Sequence, residues 1–134
     1  MSEYRLPDEE IRFVLEELIG LEPVSALPGL TPIDAEDISG ILDQAGKFAS
    51  EILAPLNQIG DREGATLENG IVRTASGFAA AYKSYCKAGW CASAGNPVYG
   101  GQGLPRLVNT ALFEVWNAAN LSFALCNTLT DSAA

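Results

Sequence analysis

The chain has 134 residues, a formal net charge of −9 and 48% hydrophobic residues. A compact domain of this length buries about two-thirds of the surface that its unfolded chain would expose, so one domain with a core is expected. Residues 1–68 carry 15 Asp and Glu against 4 Lys and Arg, whereas residues 69–134 carry 2 against 4. The acidic half argues against nucleic acid and anionic membranes as partners, because both require clustered Lys and Arg. The nearly uncharged half predicts a surface that other polypeptide covers.

The three cysteines predict free thiols rather than disulfides or a metal site. Their number is odd, the first 20 residues are too acidic for a secretory signal, and the chain has no histidine. We therefore expect a cytoplasmic protein without a metal site, whose thiols Cys86, Cys91 and Cys126 are buried or half-buried. No apolar run reaches the roughly 20 residues of a membrane span, so no membrane association is expected.

The first pattern along the chain is an amphipathic helix. It is predicted to start at Pro7 and Asp8 and to end at Gly20. Apolar residues three or four positions apart predict a buried stripe of Ile11, Val14, Leu15, Leu18 and Ile19. Residues 21–33 contain three prolines and predict an irregular connector.

A long second helix follows the connector. Asp34 can cap its first turn, with Asp37 three residues later as a capping-box partner. The apolar stripe continues to about Ile59. Pro55 is expected to kink the last turn, and Gly60 is expected to end the helix.

The remaining patterns predict one hairpin and three more helices. Asn69 and Gly70 lie between two short β-prone stretches, which is typical of a type I′ turn. Gly89 closes a third helix, Pro105 suits the first position of a fourth, and Asn120 can cap a fifth. The third helix has an apolar stripe of Phe78, Ala81, Tyr82, Tyr85 and Cys86. The sequence therefore predicts a mainly α fold: a five-helix, up-and-down-type bundle with one small β-hairpin.

A glycine-dense turn occupies residues 96–106 and is the most informative local feature. Gly100, Gly101 and Gly103 permit positive φ angles or the close approach of another backbone. Glycines ahead of a helix can also bind phosphate, but no preceding strand and no Lys-Ser/Thr pair accompany these. A structural turn is the favoured interpretation.

Other side chains allow a functional and a structural interpretation. Glu114 could act as a general base, although a lone carboxylate on an apolar helix is more often an exposed or interdomain contact. Trp90 and Trp116 could stack on a ligand, but packing in a core or an interface is favoured. Tyr82 and Tyr85 share an apolar stripe and are expected in the core.

Several motifs occur in an order that resembles the N-terminal helical domain of the flavin-dependent acyl-CoA dehydrogenases. They are FASEILAP at 48–55, KAGW at 87–90, PVYGGQGL at 97–104 and Phe113-Glu114. The opening YRLP at 4–7, RFVL at 12–15 and GDREG at 60–64 look like the larger, methylthiopropanoyl-CoA dehydrogenase-like branch of the family. The resemblance covers nearly the whole chain.

The resemblance implies that residues 1–134 form one helical domain of an enzyme whose middle β domain and C-terminal helical domain are absent here. It implies an acyl-CoA substrate, FAD in the complete enzyme and a homo-oligomer. The residues implied to line the acyl cavity are Phe123, Ala124 and Asn127. Those implied to form a cofactor-facing turn are Tyr99, Gly100, Gly101 and Gly103.

The family's catalytic carboxylate and its FAD-holding segments lie further along the polypeptide than this chain extends. No catalytic residue, no bound cofactor and no activity are therefore expected of the chain alone. The alternative is an autonomous helical module that self-associates through an apolar surface of Leu107, Leu112, Phe123 and Leu125.

Overall fold

The computed structural model describes the backbone of residues 4–133 and the side chains of residues 4–130. Helix α1 (Asp8–Arg12) continues directly into a π-helical segment (Phe13–Ile19) that ends at Gly20, as predicted. Within the predicted irregular connector lies one short helix, α2 (Glu22–Ser25).

The predicted apolar stripe of the first helix is only partly correct. Ile11 and Leu15 are buried, whereas Val14, Leu18 and Ile19 are 40%, 69% and 46% exposed. The cause is the π-helical segment, whose hydrogen bonds join residues five apart. An α-helical spacing therefore does not keep the later residues on the buried face.

The long second helix contains a π-helical interruption. Helix α3 (Ala35–Phe48) passes through π-helical residues Ala49–Leu53 into α4 (Ala54–Glu63). The predicted capping box is present: the Asp37 N–H donates to Asp34 Oδ1 at 2.9 Å, and the Asp34 N–H donates to Asp37 Oδ2 at 3.2 Å. These bonds satisfy two N–H groups that a helix start leaves unpaired.

Two predictions about the end of this helix need correction. Pro55 lies in the first turn of α4, so the irregularity is the π-helical segment before it rather than a kink of the last turn. Gly60 does not end the helix, which continues to Glu63 and stops at Gly64, where φ is 64°. Gly60 instead admits the Phe78 ring, which would lie 2.7 Å from an added Cβ.

The predicted hairpin is confirmed. Strands β1 (Thr66–Glu68) and β2 (Ile71–Arg73) pair antiparallel. Asn69 and Gly70 have φ angles of 51° and 78°, as a type I′ turn requires. Both strands are exposed, so the hairpin adds nothing to the core.

The second half contains helices α5 (Phe78–Lys87), α6 (Arg106–Ala119) and α7 (Leu121–Ala133). Single 3₁₀ turns lie between α5 and α6, at Trp90–Ala92 and Pro97–Tyr99. Pro105 precedes the first residue of α6 by one position. The mainly α fold with one small hairpin is therefore confirmed.

An aromatic cluster forms the centre of the core. Ring centroids are 5.6 Å apart for Tyr85 and Trp116, 5.8 Å for Phe48 and Trp116, and 5.3 Å for Trp90 and Trp116. Trp90 and Trp116 are thus packing residues, as predicted. Tyr82 is 40% exposed, against prediction. It lies one position after the buried Ala81 and so points about 100° away from the core.

Candidate functional surface

The glycine-dense turn is held by backbone hydrogen bonds across its base. The Gln102 N–H donates to the Ala92 carbonyl at 3.0 Å, and the Leu104 N–H donates to the Ser93 carbonyl at 2.9 Å. On the other side, the Thr31 N–H donates to the Gly103 carbonyl at 2.9 Å. Residues 102–104 therefore lie between two hydrogen-bonded neighbours, which fixes the path of the turn.

Side chains attach the same turn to the helices. The Ser93 hydroxyl donates to Asn109 Oδ1 on α6 at 2.6 Å, and both residues are buried. The Gln102 amide donates to the Gly89 carbonyl, just after α5, at 2.9 Å. A buried polar pair of this kind is stabilising when both partners are satisfied.

The three glycines have the two properties predicted for them. Gly100 and Gly103 have φ angles of 87° and 67°, a region that residues with a Cβ rarely adopt. Gly101 approaches the backbone of Gly95 so closely that an added Cβ would overlap the Gly95 carbonyl.

The amide groups of the turn are already used within the chain. The Tyr99 and Gly101 N–H groups donate to the Asn96 carbonyl at 2.9 and 3.1 Å, and the Gly100 N–H donates to the Pro97 carbonyl at 3.0 Å. An anion site needs free N–H groups. The structural-turn interpretation is therefore supported over phosphate binding.

The tip of the turn presents two large side chains to solvent. Val98 is 82% exposed and Tyr99 is 89% exposed. A Cβ on Gly100 would meet nothing within 4 Å. The scaffold thus holds an aromatic side chain in an open position, ready to contact another surface.

The three residues of α7 implied to line a cavity face the core of this domain. Phe123, Ala124 and Asn127 are 4%, 3% and 9% exposed. The Phe123 ring lies edge-on to Tyr85 at 5.5 Å. Their role toward a substrate stays a prediction.

The outer side of α7 carries three exposed leucines that are not among the predicted site residues. Leu121, Leu125 and Leu129 are 56%, 50% and 73% exposed. Their four-residue spacing is the signal that could have identified this leucine row. It gives α7 an apolar surface on the outside of the domain.

Asn120 positions the start of α7. Its Oδ1 accepts from the Phe123 N–H at 3.1 Å and from the Ser122 hydroxyl at 2.8 Å, which confirms the predicted cap. Its Nδ2 donates to the Leu53 carbonyl at 3.0 Å. This last bond joins α7 to the end of the π-helical segment.

The cysteines differ in exposure. Cys86 and Cys91 are half-buried, as predicted, whereas Cys126 is exposed, against prediction. Burial is the main cause that raises the pKa of the Cys91 thiol, and the charge of the nearby Cys86 raises it further. A hydrogen bond to Cys86 is the main cause that raises the pKa of Tyr82, and the charge of Cys86 raises it further. Among the residues that the structure describes, no group of three or more His, Cys, Asp and Glu is placed to hold a metal ion.

Glu114 is exposed on α6, as the structural interpretation predicted. The nearby Tyr4 hydroxyl donates to the Val115 carbonyl at 3.4 Å. Burial, and then the charge of Glu114, raises the pKa of Tyr4. Glu114 is thus an exposed charge that affects the half-buried phenol of Tyr4.

These features describe a helical domain that presents a rigid turn and an apolar helix face to its surroundings. Over the described range 4–133, no helix combines the length and the apolar character that a membrane crossing needs. No protein-family model matches the chain.

A curated relative is the 3-methylmercaptopropionyl-CoA dehydrogenase of Ruegeria pomeroyi, which is 39% identical over 130 residues. The match covers 97% of this chain and 22% of the relative, so the chain spans about a fifth of that enzyme's length. The resemblance to the acyl-CoA dehydrogenase family is thereby confirmed, and this chain is a relative of one stretch of such an enzyme.

Proposed function

We propose that the chain is the substrate-lining N-terminal domain of an FAD-dependent acyl-CoA dehydrogenase that oxidises the α,β bond of an acyl-CoA thioester. The observation that carries the proposal is the 39% identity over 97% of the chain to a dehydrogenase of this kind. The substrate would be an acyl-CoA, and the complete enzyme a cytoplasmic homo-oligomer without nucleic acid or membrane partners.

In this proposal the chain supplies shape rather than reactive groups. The chemistry that FAD would supply is acceptance of a hydride from the β carbon, and the carboxylate that would remove the α proton belongs to another part of the enzyme. The turn at Tyr99, Gly100, Gly101 and Gly103 would contact the cofactor through its surface. Because the amides of the turn are already bonded, the FAD phosphates would be held by other segments.

Helix α7 would form part of the acyl wall. Asn127 follows Ala124 by three positions and Phe123 by four, so the three residues lie on one side of the helix. The Asn120 cap and the Asn120–Leu53 hydrogen bond hold this face in place. Because these side chains are 4%, 3% and 9% exposed, they would shape the acyl wall by fixing the position of α7 rather than by broad contact with the substrate.

The isolated chain provides the first test. We expect purified protein that is colourless and does not turn over 3-methylmercaptopropionyl-CoA with an artificial electron acceptor. Yellow flavin absorbance or turnover by the chain alone would contradict the proposal.

A chimera provides the second test. This chain replaces the aligned stretch of the Ruegeria enzyme, and we expect the chimera to bind FAD and to oxidise the thioester. Tyr99→Ala should lower flavin retention without changing the melting temperature of the isolated domain, because Tyr99 is 89% exposed. The matched control is Val98→Ala, which should retain flavin. A folded chimera without turnover would count against the proposal.

A second candidate function is self-association as an autonomous helical module. Of the surface predicted for it, Leu112 and Phe123 are buried within the monomer, while Leu125 is 50% exposed. The leucine row of α7 is the observation that favours this candidate. Sedimentation should then show a dimer that Leu125→Ser and Leu129→Ser disrupt, and a monomer at high concentration would exclude it.

A further inference from the structure

A groove lies between the first helix of the chain, which consists of α1 and the π-helical segment Phe13–Ile19, and helix α6. Its volume is about 250 Å³. Small-molecule sites usually have volumes of about 300–1,000 Å³, so this groove suits individual side chains better than a whole cofactor. Its apolar lining consists of Ile11, Val14, Leu15, Ile19, Leu107 and Ala111. Glu10 lines it from α1 and Glu114 from α6.

The apolar surface continues outside the groove along the π-helical segment. Phe13 and Leu18 are 59% and 69% exposed, and Val14 and Ile19 are 40% and 46% exposed. Each pair is five positions apart, which is the hydrogen-bonding repeat of a π-helix, so its members lie on one face. Exposed apolar patches that adjoin a groove are typical of protein interaction sites.

Charge identifies the kind of partner. Among the described residues, no Lys or Arg forms an ion pair with Glu10 or Glu114. Arg12, the nearest cation along α1, is held by Asp8 at 2.7 Å and by Asp43 at 3.2 Å. Within the described residues, the two carboxylates of the groove therefore have no ion-pair partner. A binding partner could supply the missing cations.

The groove is separate from the glycine-dense turn at residues 96–106. Successive residues of an α-helix are 100° apart, which places Leu107, Ala111 and Glu114 on the side of α6 opposite Asn109 and Trp116. Asn109 contacts the glycine turn through Ser93, and Trp116 packs on Trp90. The groove thus faces away from the turn.

We infer that this groove binds an amphipathic helical segment of another protein that carries leucine and lysine side chains. Leucines enter the groove, and lysines at its ends reach Glu10 and Glu114. A second copy of this chain is a poorer match, because its Asp and Glu outnumber its Lys and Arg by 17 to 8 and it would bring few cations to the two glutamates. Anionic lipid is excluded because its charge would repel these glutamates.

The test is a titration of the chain with a fluorescent synthetic helix of leucine and lysine. A second peptide of the same pattern has glutamate in place of lysine. We expect the lysine peptide to bind and the glutamate peptide to bind at least about tenfold more weakly, since like charges oppose binding. Amide NMR shifts should concentrate at Val14, Ile19 and Ala111.

Variants then locate the site. Glu10→Gln with Glu114→Gln should weaken the lysine peptide about three- to tenfold, because each exposed ion pair contributes modestly. The matched control, Glu36→Gln with Glu51→Gln, makes the same change in net charge away from the groove and should leave the affinity unchanged. All four carboxylates are exposed, so circular dichroism should show unchanged folding.

Four results would overturn the inference. They are equal binding of both peptides, unchanged affinity in the groove double variant, dimerisation of the chain that Val14→Ser abolishes, and binding to phosphatidylserine vesicles that Val14→Ser abolishes. The last two would assign the groove to a second copy or to a lipid surface.

Discussion

The side-chain amide of Asn120 donates to the backbone carbonyl of Leu53 at 3.0 Å, across 67 positions of sequence. Asn120 is fully buried, and its oxygen is satisfied by the first turn of α7. One residue thus begins a helix and joins it to another. Because buried polar groups need partners, its replacement affects both functions.

Asn120→Ala is expected to lower the free energy of unfolding by about 2–3 kcal/mol. The loss combines a helix cap, usually about 1 kcal/mol, with a buried hydrogen bond to Leu53. Urea denaturation measures it. Asn117→Ala is the control, since the Asn117 amide donates to Phe113 within its own helix at 2.7 Å. Equal losses for the two variants would show that the link to Leu53 contributes nothing.

Gly101→Ala is expected to destabilise the domain by about 1–3 kcal/mol, because the new methyl group would overlap the Gly95 backbone. Gly40→Ala is the control. Gly40 lies inside α3, where an added Cβ meets nothing within 4 Å, so alanine should stabilise the domain by about 0.5–1 kcal/mol. Thermal melts of both variants measure the difference. A neutral effect at Gly101 would mean that the turn adjusts its path.

Glu63→Gln is expected to change how stability depends on pH. Glu63 Oε2 accepts from the Ser76 N–H at 2.7 Å, and this bond lowers the pKa of Glu63 below its ordinary value of 4.5. The folded state therefore favours the ionised form of the Glu63 side chain over the protonated form. The stabilisation is fully present above pH 4.5 and is lost as the pH falls through the lowered pKa.

Melting temperatures from pH 7 to pH 2.5 provide the measurement for Glu63. The wild type should melt higher than the Gln variant at neutral pH, and the difference should shrink in acid. A constant difference over the whole range would show that charge is not the cause.

Alkylation with iodoacetamide near neutral pH is expected to label Cys126 first and Cys91 last. Cys126 is exposed, whereas Cys91 is half-buried with a raised pKa, and the thiolate is the reactive form. Peptide mass spectrometry over time gives the order. In Cys126→Ser, only the slow phases should remain. Early labelling of Cys91 would contradict the packing around it.

The sequence predicted best what depends on neighbouring residues. The Asp34 cap, the Asn69-Gly70 turn and the Asn120 cap follow from local backbone chemistry, and each is present. Gly60 lies inside the helix rather than at its end, because it admits the Phe78 ring, a contact that no pattern of neighbouring residues indicates.

The candidate surfaces were less predictable. The conformation of the turn follows from its glycines, but the inward orientation of Phe123 depends on how α7 packs. The groove beside Val14 depends on a π-helical segment. The apolar spacing of this stretch also fits an α-helix, so the sequence did not indicate the π-helical segment.

The glycine turn has a consequence for how the domain can change over time. Its base is secured by main-chain bonds and by Ser93, none of which involves the side chains of Val98 or Tyr99. Substitutions of Val98 or Tyr99 should therefore have little effect on the stability of the fold. Substitutions at the tip can therefore change what the domain contacts without disturbing its fold, and a protein engineer could graft a short epitope there.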